Sequence, residues 1–141
     1  MRTGYSLLDL TVALALMGMG SSLLLPAAHR QMERSAVLAA REALVAQVAQ
    51  ARREARIAGG AVLQMRRSGG RVWIEAGGQA PRDTLAIEER FGVRIVPGAA
   101  SATVAFDALG IGRLASRSVT FLRGQERAAV TISAYGRVRR Q

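Results

Sequence analysis

Residues 5–25 read YSLLDLTVALALMGMGSSLLL, and Asp9 is the only charged residue among them. At about 1.5 Å per residue this run makes about 31 Å of helix, the thickness of the hydrocarbon core of a bilayer. A helix that is apolar on all sides does not belong on the surface of a small soluble domain. The run is therefore expected to lie in a membrane or against other helices, with a buried core helix as the plainer alternative. A cleavable secretory signal also competes, with Arg2 as its positive end and Pro26-Ala27-Ala28 near a cleavage site. Asp9 inside the apolar region, and Pro26 where a small side chain is needed, both oppose that reading. A charge within a span costs about 2.5–3.5 kcal/mol on insertion scales. An ordinary anchor would not keep it, so Asp9 is a candidate functional residue.

Past Pro26 the pattern becomes amphipathic. Val37, Ala40, Leu44, Val48, Ala51 and Ala55 recur at spacings of three and four, while Arg34, Arg41, Arg52, Arg53 and Arg56 lie largely off that stripe. Alanine, the best helix former, is abundant here. The expectation is one nearly continuous helix from Tyr5 to Ala58, broken or bent near Pro26, with Gly59-Gly60 supplying the backbone freedom of a C-cap. Such a helix is ~80 Å long, more than a domain of this size can bury.

Beyond Gly60 the apolar period changes from that of a helix to that of a strand. Ala61–Met65 and Arg71–Glu75 alternate around Ser68-Gly69-Gly70, which predicts a hairpin. A loop is expected at Gly77–Asp83 and a strand at Phe91–Val96, stopped by Pro97-Gly98. Thr103–Phe106 reads as a short strand before the turn-rich Asp107–Gly112. Ser118–Leu122 and Ala128–Ser133 alternate across Arg123–Glu126 as a second hairpin. The expected class is α+β, a small antiparallel β domain resting on the C-terminal half of a long helix.

Composition limits the chemistry. The chain has 141 residues, one His, no Cys, and twenty basic residues, all arginine, against ten acids. Without Cys there are no disulfides, thiolate nucleophiles, iron–sulfur clusters or cysteine zinc sites. One His cannot build a multi-histidine metal centre, and the lack of Lys removes Schiff-base chemistry. His29, just past the apolar run, reads as an interfacial polar residue. Glu88-Glu89 are adjacent in sequence, would face opposite ways if on a strand, and are read as solvated. Gly77-Gly78 and the glycines at 110 and 112 are turn glycines without the strand–loop–helix setting of a phosphate loop. No catalytic residue, cofactor or metal site is expected. The net charge of +10 favours an acidic partner. Lys and Asn are both missing, however, a pattern read as a coding bias, so the choice of Arg over Lys carries little weight.

A very short leader ends in Gly4, followed by aromatic Tyr5, Ser6-Leu7-Leu8-Asp9-Leu10 and an apolar run. This order resembles the class III signal of type IV pilins and pseudopilins. The resemblance implies cleavage after Gly4 by a prepilin peptidase. Tyr5, in place of the family's usual Phe, would become the mature N-terminus. Asp9 stands where the family has Glu, and Gly18 and Pro26 fall where it habitually has Gly and Pro. Asp9 would then neutralise the new N-terminal amine of a neighbouring subunit, which makes a carboxylate in an apolar setting tolerable. Gly18 and Ser22 offer a small-residue face for close helix approach. Three further stretches, Ala51-Arg52-Arg53-Glu54-Ala55, Phe106-Asp107-Ala108-Leu109-Gly110 and Gly136-Arg137-Val138-Arg139, resemble the GspH/FimT group of minor pseudopilins.

The organisation this implies is a leader at 1–4, a transmembrane and filament-core helix at 5–25, its amphipathic continuation at 26–58, and a β domain with a basic tail at 59–141. The implied function is that of a minor pseudopilin of a type II secretion system or type IV pilus, assembled near the tip in support of protein secretion. Its partners would be other major and minor pseudopilins, the peptidase and an inner-membrane assembly platform, with the C-terminal domain periplasmic. The positive-inside comparison of Arg2 with Arg30, Arg34 and Arg41 slightly opposes that orientation, so it rests on the family. The alternative is a FimT-like minor pilin that binds DNA during natural transformation. After Glu126 come Arg127, Arg137, Arg139 and Arg140 with no acidic side chain. In an extended tail Arg137 and Arg139 would point one way and Arg140 the other. A solvated basic tail and a nucleic-acid contact through Arg137, Arg139 and Arg140, with Arg137 and Arg139 as a phosphate-binding pair, are both open readings of these residues.

Overall fold

The computed structural model describes residues 7–78, 80–81, 84–99, 101–113 and 116–141, apart from the side chains of 19–25. Helix α1 spans Leu7–Ala58 and continues through Pro26. The strands are β1 (Gly60–Arg66), β2 (Arg71–Ala76), β3 (Thr84–Ala86), β4 (Arg94–Pro97), β5 (Ser101–Asp107), β6 (Arg117–Arg123), β7 (Glu126–Ile132) and β8 (Val138–Arg140). A five-residue helix α2 (Ile87–Phe91) lies between β3 and β4. They form two four-stranded sheets, in the orders β3-β2-β1-β5 and β4-β6-β7-β8, antiparallel throughout. The chain divides into two units, Met1–Met32 and Glu33–Gln141.

In the first unit the helix shows apolar side chains to its surroundings. Leu7, Leu8, Leu10, Val12, Leu14, Leu16 and Met17 are all exposed, an arrangement that water alone does not favour.

In the second unit the helical stripe is buried as its spacing requires: Val37, Ala40, Leu44, Val48, Ala51 and Ala55 are each at most 2% exposed. They share one core with Leu63, Met65, Val72, Val104 and Phe106 of the first sheet, and with Ile95, Val119, Phe121, Val130 and Ile132 of the second. Alternation along each strand sends these residues inward and their neighbours outward. Leu44 and Phe121 are among the largest fully buried side chains of that core.

Two expectations are corrected. Phe91 is the last residue of α2 rather than the start of a strand, and the strand begins at Arg94. Glu88 and Glu89 lie on α2, and both are exposed. Gly92 closes α2 in a left-handed conformation, its N–H donating to Glu88 O, and Arg123 donates from Nη1 to the Phe91 carbonyl at 2.7 Å. The hairpin that carries Arg123 thus satisfies a carbonyl at the helix end. The basic tail is likewise no free end, because Val138–Arg140 pairs with β7 as the edge strand of the second sheet.

Candidate functional site

The three stretches singled out along the sequence meet at one corner of the second unit. Arg52, near the end of α1, places its guanidinium over the Phe106 ring at 5.8 Å. Phe106 ends a strand whose last residue, Asp107, folds the following turn: its Oδ1 accepts from the N–H groups of Leu109 and Ile111, both at 2.9 Å. Gly110 in that turn lies against the Arg52 carbonyl and the Arg56 side chain. Gly136, at φ +76°, packs against both Arg52 and Phe106, where a Cβ would come within 2.8 Å of Arg52 Nη2. Spacing along the chain does not reveal this convergence, since the topology alone makes these segments neighbours.

Gly136 also closes the turn between β7 and β8. Its N–H donates to Ser133 O at 2.7 Å, and Ser133 N–H donates to Arg137 O at 2.8 Å. Ser133 Oγ accepts the Arg137 N–H at 3.0 Å. Beyond the turn, Thr131 pairs with Arg139, so strand alternation sets Arg139 and Arg140 on opposite faces.

The three C-terminal arginines therefore differ. Arg140 reaches Glu42 on α1, its Nε 3.0 Å from Oε1 and its Nη2 3.1 Å from Oε2. Arg41 donates to the same carboxylate. The hydrogen bond from Arg140 holds the Glu42 carboxyl below its ordinary value, against a smaller opposing effect of desolvation, and raises the Arg140 guanidinium in return. The pair strengthens the fold at pH values above the ordinary carboxylate range and is lost as pH falls through the lowered value. Exposure keeps its contribution small. Arg137 and Arg139 face the other way and are exposed. They line an open groove of about 880 Å³ together with Ile111, Thr131, Ser133 and Tyr135.

The residues expected to serve processing and assembly are placed in part. Gly4 and Tyr5 lie outside the described residues. Asp9 is exposed in the first turn of α1, Gly18 is exposed with nothing close to where a Cβ would be, and Pro26 is exposed within the helix. Among the described residues no helix is long and apolar enough to cross a membrane. Residues 5 and 6 and the side chains of 19–25, which belong to the apolar run, lie outside them. No group of three His, Asp or Glu among the described residues could hold a metal ion.

A long N-terminal helix packed on antiparallel sheets is a type IV pilin-like fold. Two solved structures share it, both of the type IV minor pilin FimU of Pseudomonas aeruginosa in different crystal forms. One aligns with a TM-score of 0.60 and 21% identity over 77% of this chain and 90% of that one. The other gives a TM-score of 0.56 and 21% identity over 74% and 91%. No family model and no curated protein matches the chain.

Proposed function

We propose that the chain is a minor pilin-type structural subunit, cleaved after Gly4 and assembled through its N-terminal helix into a type IV pilus or a type II secretion pseudopilus. The observation that carries this reading is a pilin-like fold whose helix begins with exposed apolar side chains around a single carboxylate, Asp9. Burial of that surface in a membrane before assembly, and among neighbouring helices after it, removes the cost of leaving it in water. The likeness to a type IV minor pilin supports the pilus. The stretches at 51–55, 106–110 and 136–139 support the GspH/FimT group within that class. The partners are other pilins or pseudopilins, a prepilin peptidase and an inner-membrane assembly platform, with the β domain on the periplasmic side. Mass spectrometry of the membrane-extracted protein is expected to show a chain that starts at Tyr5, N-methylated. A chain starting at Met1 or near His29 would overturn the proposal.

A second reading, DNA capture, is favoured by one observation: Arg137 and Arg139 are exposed on a common groove while Arg140 is taken up by Glu42. Two guanidinium groups on one side suit phosphate oxygens. Arg137→Ala combined with Arg139→Ala is expected to weaken binding of duplex DNA by the full-length protein. It should also make the slope of log K against log salt shallower by about two. An unchanged slope would remove these residues as the contact.

A further inference from the structure

The groove beside β8 holds more than two charges. Tyr135 stands on the Ser133–Arg137 turn with 76% of its surface exposed, and it lines the same groove as Arg137 and Arg139. Ser133 and Thr131 bring hydroxyls to that lining. Ser133 Oγ accepts the Arg137 N–H, and Thr131 Oγ1 lies 3.0 Å from Ser118 Oγ. A hydroxyl that accepts one hydrogen bond still has a proton to donate. No acidic side chain is among the described residues that line the groove. Asp107, at the root of the turn carrying Ile111, has its Oδ1 turned onto backbone N–H groups.

An exposed tyrosine of this kind lacks a structural reason within the fold. Its ring is outside the core cluster, and exposure leaves its apolar faces in water at a cost that burial against a partner would remove. Beside two guanidinium groups it makes a stacking plate with phosphate donors on the same wall. A duplex keeps its bases stacked inside, so a side chain at a groove of this size can stack only on an unpaired base. The volume falls within the range of ordinary ligand pockets.

We infer that this groove binds single-stranded nucleic acid, with a base stacked on Tyr135, the backbone phosphates on Arg137 and Arg139, and the Ser133 hydroxyl donating to phosphate. The inference rests on the DNA-capture reading and deepens it, since it adds a residue and selects the strand state. The alternative occupant with matching charge is an acidic peptide, which would engage the arginines without needing the aromatic plate.

The test uses the full-length protein in detergent with a fluorescein-labelled poly-dT oligonucleotide, a mixed-sequence duplex of equal length, and a poly-glutamate peptide as competitor. The single strand is expected to bind at least about tenfold more tightly than the duplex. Tyr135→Ala should weaken single-strand binding by about tenfold, within the range for loss of one stacked base, and Tyr135→Phe should restore it. Duplex binding should be unchanged by either. Arg137→Ala with Arg139→Ala should weaken both forms and flatten the single-strand salt slope by about 1.4. If Tyr135→Ala leaves single-strand affinity unchanged while the arginine pair still matters, stacking is overturned and DNA capture stands. Equal affinity for duplex and single strand would also overturn the strand preference alone. If neither nucleic acid binds, or poly-glutamate displaces the oligonucleotide at equal charge, DNA capture and this inference fall together.

Discussion

Gly136→Ala is expected to destabilise the unit Glu33–Gln141 by about 2–5 kcal/mol, visible as a fall in Tm of roughly 10–20 °C. Two costs add. At φ +76° an alanine sits in the left-handed region, which costs about 1–2 kcal/mol. Its Cβ would also stand 2.8 Å from Arg52 Nη2 and 2.9 Å from Phe106 Cε1. Arg52 can swing away, but only by giving up its place over the Phe106 ring. Phe106 is 3% exposed and cannot retreat into a filled core. Gly112 behind it is similarly placed, since a Cβ there would meet the Ala134 carbonyl at 2.6 Å and Gly136 N at 2.8 Å. Gly78→Ala separates the two costs, because Gly78 has φ +70° with nothing within 4 Å. It should lose only the backbone part. Equal losses for Gly78→Ala and Gly136→Ala would show that the packing at the corner of Arg52, Phe106 and Gly136 does not constrain the fold. Because Gly136 also closes the turn that presents Tyr135 and Arg137, under the proposed nucleic-acid role its alanine variant should lose that binding along with stability.

The parts of this fold readable from sequence are those where one period runs long enough to leave no competing choice. The stripe from Val37 to Ala55 spans five helical turns, and every residue assigned to it is buried. The hairpins of β1–β2 and β6–β7 alternate cleanly on both sides of a glycine-containing turn. The segment Thr84–Phe91 defeats the same reasoning. Leu85 and Ile87 keep a strand-like spacing of two and are both buried, although the chain passes from β3 into α2 between them. A helix of five residues shows no period of its own, and its first residue follows Ala86, whose side chain offers no cap. β8 was hidden for a different reason: three residues carry no alternation, and the pairing depends on the turn built by Ser133 and Gly136. An extended tail by itself sets Arg140 opposite to Arg139, but its engagement by Glu42, which separates it from the other two candidate contacts, was not legible. The corner itself lay beyond reading, because residues 52, 106 and 136 come together only through the order of the strands.

Asp9→Ala is expected to leave membrane insertion intact and to reduce incorporation into filaments by more than about a hundredfold. Removing a charge from an apolar helix makes insertion easier, by about 2.5–3.5 kcal/mol on insertion scales, so a defect at that step is not anticipated. Assembly is different under the proposed role. There the carboxylate meets the N-terminal amine that cleavage leaves on a neighbouring Tyr5, and both groups are taken out of water. Deleting one partner of such a pair strands the other and costs about 3–5 kcal/mol, which at 1.4 kcal/mol per tenfold corresponds to factors of hundreds to thousands. A local role makes a contrasting prediction. Asp9 lies in the first turn of α1, where a carboxylate favours the helix by only about 0.3–1 kcal/mol, and its loss would change assembly no more than about fivefold. Asp9→Asn separates the two further, since it keeps the shape and a hydrogen-bonding oxygen but not the charge, and it should fail like the alanine variant. Asp9→Glu, which keeps the charge and lengthens its reach by one methylene, should assemble at least as well as the unaltered chain. The measurement is the ratio of subunit in the sheared filament fraction to that in the membrane fraction, by immunoblot. Wild-type ratios for both Asp9→Ala and Asp9→Asn would end the case for an intersubunit pair and leave Asp9 as a helix-terminal residue only.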